Sequence, residues 1–311
     1  MTNVYEQVDA NKWKSATVVA IFAMVTALSV YFISMGLAVY LGDTGEIGGV
    51  GMMGVALIIS GLTSFTGYWF SDKIVLGISG AKPADRKKDF IFYTVAENMS
   101  LAAQVPMPKL YVINDTATNA FATGRDPQHA VICATTGILS KLNRTELEGV
   151  IAHEMSHVQN YDIRLMSVVS VLVGMVVLLG DMFMRATWWG SRSRGDRDDK
   201  GSGAIFIVIG LIFAILSPIV AQLIQLSISR RRELLADASA VKLTRQPEGL
   251  LNALVKISAD HEPLEAANKA TAHLYIINPL KNRHDAIGWF AGMFNTHPSI
   301  EERVKQLREM M

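Results

Sequence analysis

Two long uncharged runs dominate the N-terminal part of the chain. Residues 17–41 and residues 47–71 are each 25 residues long and contain no Asp, Glu, Lys or Arg. Either run is long enough to cross the hydrocarbon core of a bilayer as an α-helix. The first run is too long for the core of a signal peptide and no small-x-small cleavage site follows it, so we interpret it as a retained anchor. The pattern predicts a transmembrane helix hairpin within a first domain, residues 1–71.

A second pair of apolar runs follows residue 164. Residues 165–180 are 16 uncharged residues, a marginal length for a span, and residues 201–229 are 29, interrupted by Pro218. If the polar segments on either side share one site, the pair crosses the membrane twice or not at all, and the pattern leaves this open. We therefore predict a membrane-associated segment over 165–229 between two parts of a catalytic domain, residues 72–164 and 230–311.

The polar segment after the hairpin predicts a small mixed α+β domain within a mainly α-helical membrane protein. We expect a helix near Asp85 to Ala103, strands at Lys109–Asn114, Asn119–Thr123 and Ala130–Ala134, and a helix that begins after Asn143.

One of these strands is a candidate for substrate binding. The strand Asn119–Thr123 is short, ends at Gly124 and precedes a polar loop, which is typical of a sheet edge that can pair with an extended peptide. An ordinary internal strand is the alternative. Substrate binding would then involve the residues Asn119, Ala120, Phe121 and Ala122.

The helix after Asn143 carries the residues best suited to chemistry. Asn143 followed by Glu146 predicts a capped helix start. His153 and His157 are four residues apart, so both imidazoles lie on one face and can bind one metal ion, with Glu154 beside its open side. A surface helix with two chance histidines is the alternative. The apolar flanks favour a buried site, where histidines without a metal would be costly.

A third metal ligand is expected after the last apolar run. Glu233 and Asp237 are four residues apart on a predicted helix, so both can face the histidines. Glu233 is the candidate ligand, and Asp237 could accept a hydrogen bond from a ligating histidine and orient it. The alternative is that both acids form salt bridges with the arginines that precede them.

Composition agrees with a membrane protein. Half of the residues are hydrophobic, 18% are charged and the mean hydropathy is +0.27, which is too apolar for an ordinary soluble enzyme. The net charge of +1 gives no indication of nucleic-acid binding. The single cysteine, Cys133, excludes an intrachain disulfide and is expected in the core of an apolar strand.

The basic residues predict the orientation of the hairpin. Lys12 and Lys14 precede the first run, five Lys and Arg residues between 73 and 88 follow the second, and the connection between the runs has none. Because basic residues are enriched on the cytoplasmic side, both ends of the hairpin should be cytoplasmic.

Taken together, the motifs resemble the HtpX family of membrane-bound zinc metalloendopeptidases, relatives of the CAAX prenyl proteases. The resemblance covers essentially the whole chain and is carried by four segments: His153-Glu154-Met155-Ser156-His157, Glu233-Leu234-Leu235-Ala236-Asp237, Asn119-Ala120-Phe121-Ala122-Thr123-Gly124, and His297-Pro298-Ser299 with Arg303.

The resemblance implies a zincin-like catalytic domain carried by membrane helices, with one Zn²⁺ per chain and Glu233 as its third ligand. It implies that His297 and Arg303 are catalytic, as donors to the tetrahedral intermediate. It further implies a multi-pass protein of the bacterial inner membrane, with the catalytic domain facing the cytoplasm, that cleaves membrane or misfolded proteins in stress response and quality control.

Two other functions compete with this interpretation. A transporter or channel would explain only the apolar runs, which carry none of the buried charges that mark an ion path. A non-catalytic scaffold stabilised by zinc would be expected to use a protein ligand at the fourth metal position, which would leave Glu154 without a role.

Overall fold

A computed structural model of the chain describes residues 4–40, 50–175, 230–267, 271–277 and 298–311. The helices are α1 (Val4–Tyr40), α2 (Val50–Trp69), α3 (Ser71–Ile78), α4 (Phe90–Ala103), α5 (Thr136–Lys141), α6 (Arg144–Gln159), α7 (162–175), α8 (Arg230–Thr244), α9 (Pro247–Ala259) and α10 (Ile300–Arg308). The strands are β1 (Lys82–Pro83), β2 (Lys109–Ile113), β3 (Ala120–Thr123) and β4 (Val131–Thr135), and short 3₁₀ turns lie at Pro127–His129 and Ala272–Leu274.

The two helices of the predicted hairpin are present and pack against each other. The Ser60 hydroxyl of α2 donates a hydrogen bond to the Ala23 carbonyl of α1. Helix α1 begins at Val4, well before the uncharged run, so its first turns are polar. Within the described parts of the chain, no helix has both the length and the mean hydropathy required of a membrane span.

The sheet has four strands in the order β1-β2-β4-β3 and is mixed. Strands β2 and β4 run parallel, from Lys109 beside Val131 to Ile113 beside Thr135, and the other two pairs are antiparallel. The sheet confirms the predicted α+β character and places β3 at an edge. Strand β1 was not predicted, because a two-residue Lys-Pro strand has no alternating pattern to recognise, and Pro83 is tolerated there because β1 is the opposite edge.

Helix α6 crosses the centre of the domain, where α4, β3, α8 and α9 contact it. The contact with α9 requires two glycines. A Cβ on Gly149 would lie 2.6 Å from the backbone nitrogen of Leu250, and one on Gly249 would lie 2.6 Å from the carbonyl of Thr145. The close approach of the two helices buries α6 deeply enough to place its functional residues in the core.

Two sequence predictions need adjustment. The helix expected from about Asp85 begins instead at Phe90, because the Asp85 carboxylate accepts hydrogen bonds from the backbone N–H groups of Lys87 and Lys88 and forms a turn there. The start of the third apolar run continues as α7, and its Ser167 hydroxyl bonds to Thr123 and Gly124 of the catalytic domain. Residues 176–229, with the fourth run and its basic loop, lie outside the described residues.

Candidate active site

The site is built on α6, whose start is set by local sequence. The Asn143 side chain accepts a hydrogen bond from the Glu146 N–H at 2.9 Å, and the Glu146 carboxylate accepts one from the Asn143 N–H at 2.9 Å. This reciprocal capping box confirms the predicted helix start. His153, Glu154 and His157 are all buried, at 1%, 2% and 4% exposure. The alternative of a surface helix with chance histidines is therefore wrong.

His153 is held from behind by a buried ion pair. Its Nδ1 donates to Asp237 Oδ1 at 2.9 Å. Arg303 binds the same carboxylate with two hydrogen bonds, of 2.6 Å from Nη2 and 2.8 Å from Nε, and both side chains of this pair are fully buried. Burial raises the pKa of Asp237, but the charge and hydrogen bonds of Arg303 outweigh it and lower that pKa overall. Asp237 is thus a carboxylate in hydrogen-bond contact with one imidazole, and its role in orienting a metal ligand stays a prediction.

His157 is held in a comparable way by a residue that was not predicted. Its Nδ1 donates to Asp162 Oδ2 at 3.0 Å, and the other oxygen of Asp162 accepts a hydrogen bond from Arg232 at 3.1 Å. Burial opposes a charge on His157, but the hydrogen bond to Asp162 and the charges of Glu233, Asp162 and Glu154 together raise its pKa to about 9. At His153 burial dominates and lowers the pKa.

With both Nδ1 atoms bonded to carboxylates, the two Nε2 atoms are left to converge on the carboxylate of Glu233. The Nε2 atoms of His153 and His157 are 3.2 Å apart, and they lie 3.7 Å and 3.5 Å from the nearest Glu233 oxygens. Atoms bound to one tetrahedral zinc at about 2.0 Å lie about 3.3 Å from one another. The three side chains therefore fit a single zinc ion, and their ligand atoms all lie within 4.8 Å.

Glu154 lies beside these ligands with a carboxyl group that can exchange a proton near neutral pH. Burial raises its pKa to about 7, against which the charge of His157 acts. The backbone N–H of Ala122 acts in the opposite direction and lowers the pKa, and α6 and the edge strand β3 are in contact. A carboxyl group with a pKa near 7 is suited to both accept and return a proton.

Comparison with known proteins agrees with this geometry. Residues 91–311 match the model of peptidase family M48. The chain belongs to peptidase family M48. Zinc is the metal of this family, and the His153, His157 and Glu233 group is the potential metal site that the described residues contain.

Individual relatives extend the similarity over the N-terminal helices. The chain is 42% identical over 306 residues to a protein named Protease HtpX homolog from Dictyoglomus turgidum, covering 98% of this chain and 94% of that protein. It is 48% identical over 250 residues to a protein of the same name from Caldanaerobacter subterraneus subsp. tengcongensis, covering 80% and 81%. The crystal structure of S. mikatae Ste24p aligns with a TM-score of 0.46 at 19% identity, over 93% of this chain and 66% of Ste24p. The predicted resemblance to the HtpX family and the predicted zinc metalloendopeptidase activity are confirmed.

The strand predicted to bind substrate lies at the sheet edge, but its outward groups have partners within the chain. The Ala120 carbonyl accepts a hydrogen bond from the Ile276 N–H at 3.1 Å, and the Asn119 side-chain amide donates to the Ile277 carbonyl at 2.9 Å. All four residues of β3 are buried. The role of Asn119, Ala120, Phe121 and Ala122 in substrate binding stays a prediction.

Of the two residues predicted as donors to the tetrahedral intermediate, the structure describes Arg303 but not His297. His297 lies outside the described residues. Arg303 is fully buried, and its guanidinium bonds to Asp237 and donates to the Ile276 carbonyl at 3.1 Å. Its Nη2 lies 3.4 Å from His153 Nδ1, the ring nitrogen that faces away from Glu233. Arg303 therefore lies behind the ligand histidine.

The sequence interpretation missed Asp162, Arg232 and the Ala122 N–H. Asp162 follows His157 by five residues and begins α7, so a search for carboxylates just after the end of α6 would have found it. Arg232 directly precedes Glu233, and its position in the sequence indicates only a salt-bridge partner. A backbone donor such as Ala122 leaves no signal in sequence, because every residue except proline has one.

Proposed function

We propose that the chain is an integral membrane zinc endopeptidase that hydrolyses peptide bonds of membrane or misfolded proteins on the cytoplasmic side, as part of quality control. The observation that carries the proposal is the convergence of His153, His157 and Glu233 beside the buried Glu154. Three protein ligands with a carboxyl group alongside are the arrangement of catalytic rather than structural zinc sites.

The roles at the site follow from the side chains. His153, His157 and Glu233 would hold the zinc ion, which when bound supplies a Lewis acid toward water and the scissile carbonyl. Glu154 takes a proton from the attacking water and returns it to the leaving amine. Burial raises the pKa of Glu154, which favours a carboxyl group that can both take and return a proton.

The residues behind the histidines are proposed to position them. Asp237 fixes the proton of His153 on Nδ1, and Asp162 does the same for His157, so that each ring presents Nε2 to the metal. Arg303 holds Asp237 rather than the substrate. This positioning role fits its contacts better than direct donation to the intermediate.

Substrate is proposed to pair with β3. The bonds of Ile276 and Ile277 to Ala120 and Asn119 indicate that this edge accepts main-chain partners, and an extended peptide would replace them. Recognition through main-chain groups tolerates many sequences, which suits cleavage of misfolded proteins. Substitution of Asn119 by Ala should then raise KM more than it lowers kcat.

The membrane location is proposed from sequence and surface together. Six large apolar side chains of α2, which lies in the second uncharged run, are exposed: Leu57, Ile58, Ile59, Leu62, Phe65 and Trp69. Such a surface is favourable against lipid and unfavourable in water. The Lys and Arg distribution supports a catalytic domain on the cytoplasmic side. Cysteine labelling of residue 44 from outside, and of residues 85, 140 and 240 only from inside, would test this topology.

Glu154→Gln tests the reaction. The purified variant should keep about one zinc per chain and lose at least roughly 1,000-fold in cleavage of an unfolded protein such as casein, because the amide cannot accept the proton. Undiminished cleavage would overturn the role of Glu154. Zinc bound with no cleavage by the parent chain would instead favour a zinc-stabilised scaffold.

A further inference from the structure

Helix α1 reaches the network behind the metal ligands. Asn11, in the polar first part of α1, is only 2% exposed. Its side-chain amide donates to Asp162 Oδ1 at 2.7 Å and to the Asn160 carbonyl at 2.9 Å. Its Oδ1 accepts a hydrogen bond from Arg232 at 3.2 Å. One asparagine therefore contacts the carboxylate that bonds His157 and the arginine next to Glu233.

The turn that carries Asp162 needs such support. Tyr161, between Asn160 and Asp162, has φ of 59°, a left-handed conformation that is unfavourable for a bulky residue. Residues held in such conformations persist when neighbouring contacts determine them. Helix α1 supplies two contacts, the hydrogen bond of Asn11 to the Asn160 carbonyl and the Lys12 ammonium 4.9 Å from the centre of the Tyr161 ring.

The Asn11 side chain presents a hydrogen-bond donor directly to Asp162. An amide N–H at 2.7 Å from a carboxylate oxygen stabilises the carboxylate, and the same oxygen is bound by Arg232. The other oxygen of Asp162 is thereby directed to His157 Nδ1 at 3.0 Å. Loss of the Asn11 amide would free the turn and the carboxylate to shift, and the His157 ring with them.

We propose that Asn11 is a positioning residue of the metal site: acting through Asp162, it holds His157 in the orientation that binds zinc. The inference rests on the proposed role of His157 as a ligand. Residue 11 lies outside the segment that matches the family model, residues 91–311. Docking of α1 onto the catalytic domain would thus complete the metal site, and zinc affinity would report whether α1 is in place.

The test is zinc affinity of the full-length chain in detergent, measured by competition with a chromophoric chelator. Asp162→Asn should weaken zinc binding 10- to 100-fold, as changes behind a ligand tend to do, and Asn11→Ala should weaken it roughly 10-fold. Asn11→Asp keeps the volume but loses the donor and adds a like charge beside Asp162, so it should weaken binding more than alanine does.

Ser15→Ala is the matched control. Ser15 is buried on α1 one turn after Asn11, and its hydroxyl donates to the Asn11 carbonyl at 2.8 Å. This variant should leave zinc affinity within about 2-fold of the parent, since a single short-range hydrogen bond within the helix is lost. If Asn11 had only a structural role, Ser15→Ala and Asn11→Ala would lower the melting temperature by similar amounts, and neither variant would change zinc affinity.

A double-mutant cycle shows whether Asn11 acts through Asp162. In the Asp162→Asn background, Asn11→Ala should have little further effect on zinc affinity. Parent-like affinity of both Asn11 variants, or an undiminished effect of Asn11→Ala in that background, would overturn the inference while the proposed function stands. Failure of the parent chain to bind zinc would instead overturn the proposed function first.

Discussion

His153 and His157 stand one turn apart on the same helix, yet different parts of the molecule hold them. In the His153 network, which consists of His153, Asp237 and Arg303, the arginine binds the carboxylate with two hydrogen bonds and both are fully buried. In the His157 network, which consists of His157, Asp162, Arg232 and Asn11, one arginine nitrogen binds the carboxylate and the arginine is 12% exposed.

The His153 network forms a rigid half of the site. The His157 network forms a half whose geometry depends on the packing of α1 against the catalytic domain. The His153 network draws all its members from the catalytic domain, on α6, α8 and α10. The His157 network includes a residue of α1, which is part of the proposed membrane hairpin. A buried ion pair with two hydrogen bonds has strict geometry. The ion pair of Asp162 and Arg232, with one hydrogen bond, tolerates more movement. Its position therefore depends on how α1, α7 and α8 pack together.

The largest expected effect comes from breaking the His153 network. Arg303→Met leaves Asp237 buried and without its guanidinium partner, which should lower the free energy of unfolding by about 3–5 kcal/mol. Arg232→Met should cost only about 1–2 kcal/mol, because Asp162 keeps the hydrogen bonds of Asn11 and His157. Denaturant unfolding of the metal-free proteins in detergent measures both. Equal losses would remove the distinction between the two networks.

Zinc affinity should distinguish the two carboxylates next. Asp237→Asn presents an amide NH₂ to the donors of Arg303 and should weaken zinc binding by about 100-fold, whereas Asp162→Asn should weaken it by nearer 10-fold. Asp260→Asn serves as the control, because Asp260 is a carboxylate paired with Lys141. Its change should leave zinc affinity unaffected. A larger loss of zinc affinity in Asp162→Asn than in Asp237→Asn would show that the His157 network, and not the His153 network, is the more rigid of the two.

The two histidines should also respond differently to pH. The pKa of His157 is raised from 6.5 to about 9, whereas that of His153 is lowered. The proton on His157 stabilises the metal-free fold fully below pH 6.5, and this contribution is lost as pH rises through about 9. Zinc requires a neutral imidazole, so binding must displace that proton. Zinc affinity should rise about tenfold per pH unit from pH 7.5 to 9 and then level off.

Calorimetry in buffers of different ionisation enthalpy measures the released proton. At pH 8 the parent should release about one proton on binding zinc. Asp162→Asn removes the main group that raises the pKa of His157, so this variant should release fewer. An affinity that does not change between pH 7.5 and 9 would show that His157 is already neutral there.

The smallest effect should come from replacing each arginine by lysine. A lysine cannot form the two parallel hydrogen bonds that Arg303 forms, so Arg303→Lys should still cost about 1–3 kcal/mol of unfolding free energy. Arg232 binds Asp162 through one nitrogen, Nη1, and Arg232→Lys should stay within about 0.5 kcal/mol of the parent. A thermal melting comparison is sufficient. Similar shifts for both would indicate that the second hydrogen bond of Arg303 adds little.

Local sequence determined much of the candidate site. The capping box from Asn143 to Glu146, the shared face of His153 and His157, and the pairing of Glu233 with Asp237 each involve residues three or four positions apart. Helix geometry alone places such residues on one face, so their spacing predicts that they face the same neighbours. The position of β3 at a sheet edge was also predicted, from its short length and the polar loop that follows it.

Other parts of the site involve contacts across the whole chain. Asn11 and Asp162 are 151 residues apart, and Asp237 and Arg303 are 66 apart. No periodicity relates such positions. The family resemblance implied that Arg303 lies beside the substrate. Its hydrogen bonds to Asp237 hold it behind His153 instead.

The sequence by itself therefore determined that His153 and His157 lie on one face of one helix with Glu154 beside them, because that information is contained within a single helical turn. The tertiary structure decided which nitrogen of each histidine faces the metal. That choice depends on carboxylates contributed by other elements, Asp237 by α8 and Asp162 by α7, as its first residue, next to the turn at Tyr161. Packing also brought α1 against the turn at Tyr161. The Asp162 carboxylate is buried there, so it needs the hydrogen bonds from Asn11 and Arg232 in place of water.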